Sequence, residues 1–159
     1  MSKKQFTHIS RDGNPQMVNV SGKKITRRVA EAEATVDVGK EILSLIHDNE
    51  LITKKGPVFQ TAIIAGVMGA KKTAELIPFC HPLQLEDCQV KIAVINNVIV
   101  IRATVVVSAK TGVEMEALTA ASVAALTVYD MCKAISHNIS IREVRLMAKS
   151  GGKKDFKRH

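Results

Sequence analysis

The sequence contains no tryptophan, and aromatic residues make up only 3% of its 159 residues. Proteins that bind single-stranded nucleic acid usually stack bases on aromatic side chains, so this scarcity counts against that class. No stretch reaches the roughly 18 to 20 apolar residues of a membrane-spanning helix. The amino-terminal segment also lacks the basic stretch followed by an apolar stretch that marks a secretory signal. We therefore expect a cytoplasmic protein that has no membrane partner.

Cysteine is scarce as well, with residues only at Cys80, Cys88 and Cys132. An odd number in a cytoplasmic chain argues against a disulfide framework. There is no Cys-x-x-Cys pair, and the interval from Cys80 to Cys88 is too long for a zinc knuckle. We expect buried free thiols, no metal site and no resident cofactor.

Positive charge is in excess, since 23 Lys and Arg against 15 Asp and Glu give a net charge of +8. The excess lies at the two ends. Residues 1–28 hold seven basic residues and one acid, and residues 142–159 hold seven basic residues and two acids. Basic ends around an acidic middle have two interpretations. Either the ends bind an anionic partner, such as nucleic acid or a small phosphorylated substrate, or they are simply solvated termini.

Hydrophobic periodicity predicts a single order of elements: strand, helix, strand, strand, helix, strand. The predicted strands are 28–38, 85–95, 98–107 and 139–147. The predicted long helices are 58–77 and 113–135, and a short helix is predicted at 39–47. Asn96 and Asn97 tolerate positive φ, so the two middle strands should form a hairpin.

This order predicts an α+β, ferredoxin-like split βαβ fold, in which two long helices cover one face of a four-stranded antiparallel sheet. Residues 1–24 are predicted to be an irregular arm, 25–149 a single ferredoxin-like domain, and 150–159 a flexible tail rich in Gly and Lys. The free face of the sheet should carry apolar residues such as Val98, Val100 and Val105. Such a face needs a cover, and a second subunit is the simplest one.

Asp130 and Lys133 lie three residues apart on the second long helix, so their side chains share a face. If exposed, they form an ordinary surface ion pair. Their apolar neighbours, Val128 and Met131 among them, favour a partly buried pair. Each member of a buried pair changes the pKa of the other, which makes an acid/base couple.

Three further residues have both a structural and a functional interpretation. His81 precedes a proline, which biases its backbone toward an extended conformation; it is either a packed loop residue or a site residue. Glu114 and Glu116 begin a helix, where the helix dipole favours acids. Their functional interpretation is recognition of the N1–H and 2-amino hydrogens of a guanine or pterin.

Helix geometry limits what one subunit can gather. Glu114 and Asp130 are 16 residues apart, which is roughly 24 Å at ~1.5 Å per residue. Lys55 and His81 bracket the other long helix and should be about 30 Å apart on the same rise. If all four residues contribute to one site, that site must lie between subunits.

Several segments match one known family in order, from about residue 7 to residue 156. The longest are Lys110-Thr-Gly-Val-Glu-Met-Glu-Ala-Leu-Thr-Ala120 and Tyr129-Asp-Met-Cys-Lys-Ala134. The others are Met17-Val-Asn-Val-Ser21, Lys55-Gly-Pro-Val-Phe59, Leu76-Ile-Pro-Phe-Cys-His-Pro-Leu83 and Lys149-Ser-Gly-Gly-Lys153. Together they resemble the cyclic pyranopterin monophosphate synthase family, also called molybdenum cofactor biosynthesis protein C.

The resemblance implies a homo-hexamer, built as a trimer of dimers, with active sites at subunit interfaces. It implies a lyase that converts 3′,8-cyclo-7,8-dihydro-GTP to cyclic pyranopterin monophosphate and releases pyrophosphate. The substrate would come from a radical S-adenosylmethionine GTP cyclase. No resident cofactor is implied, and any Mg²⁺ would arrive on the substrate.

The resemblance also implies roles for individual residues. Asp130 and Lys133 match the family's acid/base pair. The residues that would line the substrate site are Phe79, Cys80, His81, Met115 and Glu116. Further contributions would come from Lys55, Glu114 and Lys149, and Arg28 could reach the phosphates.

The chain departs from the family pattern at Asn19, where many members have Asp, and at Ile63, where many have a polar residue. Its Gly-Gly-Lys-Lys-Asp-Phe tail is one residue shorter than usual. The alternative function is a non-catalytic nucleic-acid-binding ferredoxin-like module. That module would need exposed aromatic residues on the middle strands, and residues 85–95 and 98–107 contain none.

Overall fold

A computed structural model describes residues 8–10 and 12–158. Over these residues the chain has a mixed α+β architecture with four helices, a five-stranded antiparallel sheet and a small two-stranded hairpin. In chain order the elements are β1 (Thr26–Asp37), α1 (Gly39–Leu43), β2 (Ile52–Thr53), β3 (Gly56–Pro57), α2 (Val58–Lys71), α3 (Thr73–Leu76), β4 (Asp87–Ile95), β5 (Val98–Ala109), α4 (Glu114–Cys132), β6 (Ser140–Ser150) and β7 (Phe156–Lys157). The order across the large sheet is β4-β5-β1-β6-β7.

The α+β class and the antiparallel sheet follow the sequence prediction, but the number of strands does not. The described residues form five sheet strands instead of four, because the chain turns back after β6 and β7 pairs with it. In that pairing Phe156 lies opposite Lys149 and Lys157 lies opposite Ala148. A two-residue strand with no apolar alternation leaves no signal in the sequence.

The alternation predicted for β1 produces one buried face. Ala30, Ala32, Ala34 and Val36 are all buried in the core. The opposite face was predicted to be wet, and Glu31 is indeed exposed. Glu33 is the exception, because Arg102 and Arg145 on the two neighbouring strands bind its carboxylate and cover it.

The prediction of an apolar free face was wrong in part. Val105 lies on the core face and is fully buried, because β-strand side chains alternate and residue 105 shares its face with Ile99 and Ile101. Val98 and Val100 do lie on the other face, which they share with the exposed Arg102. That face of the sheet is therefore mixed in character.

The two long helices pack against each other through the small residues that the sequence suggested. A Cβ added to Gly66 would lie 3.0 Å from the Ala120 carbonyl oxygen, and one added to Gly69 would lie 2.8 Å from a Val123 methyl carbon. Both distances are shorter than an ordinary contact, so glycine is what lets α2 approach α4 this closely. This close packing brings the ends of the two helices, and the loops attached to them, into contact.

The first long helix is shorter than predicted, since α2 ends at Lys71 and α3 begins at Thr73. The buried Thr73 hydroxyl donates to the Ala70 carbonyl at 2.9 Å, and such back-bonding bends a helix. Lys72, at φ −103° and ψ 9°, breaks the regular helical geometry. None of the helices in the described ranges is long and apolar enough to cross a membrane.

The hairpin between β4 and β5 was predicted correctly. Asn96 and Asn97 have φ values of 50° and 61°, the left-handed conformations that a two-residue turn of this kind requires. The turn sets the register of the two strands, with Ile95 opposite Val98.

Candidate functional site

The predicted site residues form two groups at opposite ends of α4. The carboxyl-end cluster consists of Lys55, Asp130 and Lys133, which are in direct contact. The amino-end cluster consists of residues that line one cavity: Phe79, Cys80, His81, Glu114, Met115, Glu116 and Lys149. Arg28 lies in a second cavity that adjoins it.

Two lysines converge on one carboxylate in the carboxyl-end cluster. Lys133 Nζ lies 2.7 Å from Asp130 Oδ1, and Lys55 Nζ lies 2.7 Å from Asp130 Oδ2. Lys55 also donates to the Asp130 carbonyl oxygen at 3.1 Å. Both carboxylate oxygens of Asp130 therefore contact ammonium groups, one from Lys133 directly after its own helix and one from Lys55 in a loop distant in sequence.

Glu50, which the sequence analysis did not single out, supports the loop that carries Lys55. Lys55 lies in the turn between β2 and β3, directly before α2. The Glu50 carboxylate accepts hydrogen bonds from the Phe59 N–H at 2.7 Å and the Gln60 N–H at 3.1 Å. These N–H groups belong to the first turn of α2, which has no other side-chain cap. The available signal was an acid eight residues before a helix whose first turn contains no acid.

The electrostatics of this cluster favour full ionisation. Hydrogen bonds from Lys133 and then Lys55 lower the pKa of Asp130 to about 2. The hydrogen bond to Asp130 raises the pKa of Lys133. The prediction of a partly buried pair was wrong for the single chain, because the Asp130 and Lys133 side chains are 53% and 49% exposed. In this state Asp130 is a fixed anion that holds two proton donors in place.

The amino-end cavity has a volume of about 750 Å³. Its wall combines apolar groups such as Phe79 and Met115 with acidic and basic ones. Lys149 Nζ lies 2.8 Å from Glu114 Oε1 and links β6 to the first turn of α4. A cavity of this size and mixed lining suits a flat, polar ring system.

Glu116 is the most perturbed carboxyl in the cavity. It is only 4% exposed, and burial, followed by repulsion from Glu114, raises its pKa to about 6. Burial, followed by the Glu116 charge, also raises the pKa of the Cys80 thiol. Near neutral pH this part of the cavity therefore offers a carboxyl that exchanges a proton readily beside a neutral thiol.

His81 has one nitrogen committed to the backbone. Its Nε2 lies 2.9 Å from the Val18 carbonyl oxygen. A carbonyl oxygen can only accept, so Nε2 carries the hydrogen of this contact. His81 thus anchors the segment around Val18 by a hydrogen bond and also lines the cavity.

The second cavity, of about 350 Å³, is strongly basic. Its cationic lining residues are Lys23, Arg28, Lys110, Lys149, Lys153 and Lys154. Lys23, Lys149 and Lys153 line the larger cavity as well, so the two are continuous. The Arg28 Nε–H is buried without a partner in the described part of the chain. Four of these lysines were not predicted to be site residues: Lys23, Lys110, Lys153 and Lys154. The excess of basic residues at the two ends was a signal for all of them except Lys110.

A turn at Gly151 brings the tail to this cavity. Gly151 has φ +83°, and an added Cβ would lie 1.9 Å from the Arg27 carbonyl oxygen, so no other residue fits there. The Thr26 hydroxyl donates to the Gly151 carbonyl at 2.8 Å and fastens the turn to β1. Lys153, two residues after this glycine, lines the same cavity as Arg28.

The three thiols are free, as predicted. Cys132 is buried, and burial raises its pKa to about 11. Cys80 and Cys88 are only half-buried, so the prediction of burial was wrong for these two. Within residues 8–10 and 12–158, no three His, Cys, Asp or Glu side chains lie close enough together to hold a metal ion.

Two of the unusual positions have simple structural accounts. Asn19 Oδ1 accepts the Ser21 N–H at 2.8 Å, a local turn that Asp forms equally well. Ile63 is half-buried and packs against the hydrophobic core.

Comparison with known proteins gives consistent matches. The model of the MoaC family matches residues 17–152. A protein named cyclic pyranopterin monophosphate synthase, from Xanthomonas oryzae pv. oryzae, is 52% identical over 153 residues, which cover 96% of this chain and 93% of that protein. Molybdenum cofactor biosynthesis protein 1 of Drosophila melanogaster is 56% identical over 156 residues, or 97% of this chain.

The relatives differ in length. The chain spans 27% of the Drosophila melanogaster protein. It spans 26% of molybdenum cofactor biosynthesis protein 1 of Dictyostelium discoideum, to which it is 45% identical over 167 residues. The shared region is thus nearly the whole of the bacterial relative but about a quarter of these two longer proteins.

Proposed function

The chain belongs to the MoaC family, and from this premise we propose that it is a cyclic pyranopterin monophosphate synthase of molybdenum cofactor biosynthesis. It acts as a lyase on 3′,8-cyclo-7,8-dihydro-GTP, forms cyclic pyranopterin monophosphate and releases pyrophosphate. A radical S-adenosylmethionine enzyme supplies the substrate.

The observation that carries this proposal is the pair of continuous cavities at the amino end of α4. One is large and mixed in character, and the other is lined by six basic side chains. A nucleotide-derived substrate has the same two parts, a polar ring system and a string of phosphates. Lysine and arginine side chains neutralise phosphate charge and hydrogen-bond its oxygens.

The carboxylates of the larger cavity recognise the ring. Glu114 and Glu116 accept hydrogens from the guanidine-like edge, while Phe79 and Met115 pack on the ring faces. Because the pKa of Glu116 is raised to about 6, it can also exchange a proton with a ring nitrogen near neutral pH. Lys149 and Arg28 bind the phosphates, with Lys23 and Lys153 beside them.

The carboxyl-end cluster supplies the acid/base groups. Asp130 stays ionised and orients the Lys133 and Lys55 ammonium groups, which are 2.7 Å away. Lys133 donates a proton to the reacting centre. The neutral amine that remains is a base, and the adjacent Asp130 carboxylate favours its return to the ammonium form.

The two clusters meet only if subunits assemble. Glu114 and Asp130 lie roughly 24 Å apart along α4 at ~1.5 Å per residue. We propose a homo-hexamer, a trimer of dimers, in which each active site takes its two clusters from different subunits. Exposed apolar side chains on the two long helices, Ile64, Met68 and Leu126, offer surface for such contacts. The fold of each subunit is a ferredoxin-like split βαβ extended by β7.

The side chains also bear on the cellular compartment and on the source of any metal ion. Three free thiols suit the reducing cytoplasm. Any Mg²⁺ is carried by the triphosphate, whose oxygen atoms are the ligands that this cation prefers.

The deciding experiment supplies the purified chain with 3′,8-cyclo-7,8-dihydro-GTP and follows pyrophosphate and the pterin product. Stoichiometric formation of both is expected. Pyrophosphate release no faster than in a heat-inactivated control would refute the proposal. A filter-binding assay with RNA tests the nucleic-acid alternative, which requires retention at physiological salt.

A further inference from the structure

The segment from Val18 to Lys23 is held over the two cavities by two side chains from elsewhere in the fold. His81 Nε2 donates to the Val18 carbonyl at 2.9 Å, and Lys110 Nζ donates to the Ser21 carbonyl at 2.9 Å. Without such bonds, a segment with no sheet pairing would sample many positions.

Local hydrogen bonds connect the anchored Ser21 to Lys23. The Ser21 N–H donates to Asn19 Oδ1 at 2.8 Å, and the Lys23 N–H donates to the Val20 carbonyl at 3.0 Å. Ser21 therefore lies inside a closed turn whose last residue is Lys23. Fixing the Ser21 carbonyl fixes where the Lys23 side chain starts.

Lys23 occupies the junction of the site, because its side chain lines both the large cavity and the basic one. Lys110 directly follows β5, a strand that pairs with β1 on one side and β4 on the other, and its own carbonyl accepts a hydrogen bond from Arg28 Nη2 at 3.4 Å. Lys110 thus connects a fixed part of the sheet to the segment that carries Lys23.

We propose that Lys110 is a positioning residue for polyphosphate binding: it holds the Ser21 carbonyl so that Lys23 meets the phosphates where the two cavities join. Because Lys110 is itself a cation, its ammonium group adds to the electrostatic repulsion among Lys23, Arg28 and Lys149. A bound anion relieves that repulsion, so the segment from Val18 to Lys23 should be held most firmly when the cavity is occupied. The inference builds on the proposed function, but only for the identity of the natural ligand.

A double-mutant cycle tests the proposal with inorganic tripolyphosphate as the probe, measured by calorimetry. Lys23→Met and Lys110→Met should each weaken binding by about 5- to 10-fold, the scale of one charge-assisted phosphate contact. If Lys110 acts through Lys23, the double variant should bind no more than about 2-fold more weakly than Lys23→Met alone. Multiplication of the two losses would identify Lys110 as an independent phosphate ligand and overturn the proposal.

Further variants separate positioning from general effects. Lys110→Arg keeps a donor for the Ser21 carbonyl and should restore affinity to within about 3-fold of the unaltered chain. Lys40→Met removes the same charge from an exposed position on α1 and should leave binding unchanged. In Lys110→Met the Lys23 amide should exchange its hydrogen faster while the thermal midpoint stays constant. Unchanged exchange would contradict the positioning role.

The outcomes distinguish this inference from the proposed function. Coupled losses of tripolyphosphate affinity without pterin formation would refute the synthase activity and support the role of Lys110. Pterin formation by the unaltered chain, together with unchanged tripolyphosphate affinity in Lys110→Met, would support the synthase activity and refute the role of Lys110. No measurable tripolyphosphate binding by the unaltered chain would also overturn the inference.

Discussion

The two ends of α4 carry the same kinds of groups, carboxylates beside lysines, in opposite surroundings. At the carboxyl end, Asp130 is half-exposed and held by two lysines, and its pKa is lowered to about 2. At the amino end, Glu116 is almost fully buried, and burial together with the nearby Glu114 raises its pKa to about 6. Partner charges dominate in the first case and loss of water in the second. One helix thus presents a permanent anion and a titrating acid.

The largest effect should come from Asp130→Asn. Removing the charge frees Lys133 and Lys55 and disrupts proton transfer, so kcat should fall by about 100-fold or more. Substrate binding at the amino-end cavity should change little. Single-turnover pterin formation and equilibrium binding measure the two separately. Glu41→Gln, an exposed acid on α1, is the matched control. Normal turnover in Asp130→Asn would show that the carboxyl-end cluster takes no part in catalysis.

Mixing subunits tests whether the two ends meet across an interface. Asp130→Asn lacks the carboxyl-end function, and the Glu114→Gln, Glu116→Gln double variant lacks the amino-end function. Each alone should be nearly inactive. Subunits unfolded and refolded together in equal amounts should regain about a quarter of full activity, because random assembly pairs two intact half-sites that often. Activity no higher than that of the separate variants would mean that each site lies within one subunit.

The raised pKa of Glu116, at the amino end of α4, predicts that the free energy of unfolding depends on pH. The folded state holds the Glu116 proton more tightly than the unfolded chain does, with a pKa of about 6 against 4.5. Its contribution therefore favours folding at low pH and falls by about 2 kcal/mol in all as pH rises from well below 4.5 to well above 6. Glu116→Gln should abolish that fall in denaturant titrations.

Asp130 acts in the opposite sense and at lower pH. Its lowered pKa contributes stability that is present above about 4 and is lost as pH falls toward 2. The two carboxylates can therefore be told apart by pH window. Persistence of the fall between pH 4.5 and 6 in Glu116→Gln would assign it to another group.

The smallest expected effect concerns the support of Lys55. Glu50→Ala removes the carboxylate that caps α2 and should lower the free energy of unfolding by about 1 kcal/mol. Because Glu50 also fastens the loop before α2, the Lys55–Asp130 contact should loosen, and the pKa of Asp130, followed by NMR, should rise. Glu41→Ala is the control. An unchanged Asp130 pKa would show that Lys55 is placed by other contacts.

Much of the fold was predictable because it depends on local patterns. The alternation of β1, the Asn96-Asn97 turn and the small residues that let α2 pack on α4 are all visible in the chain. The break at Lys72 and the strand β7 were missed. The first depends on the buried hydroxyl of Thr73, and the second on a pairing that only the folded sheet provides.

For the site, the order of residues along the chain is enough to show which chemical groups are present. It also shows that the two ends of α4 are too far apart to act together within one chain. Helix rise is constant, so this separation needs no tertiary information. The folded chain was needed to show that one cavity is shared by Lys23, Lys110, Lys149 and Lys153. It was also needed to show that Glu116 is buried while Asp130 is exposed. These features depend on strand register, on the turn at Gly151 and on the water that neighbouring elements exclude, and none of them is a local property of the chain.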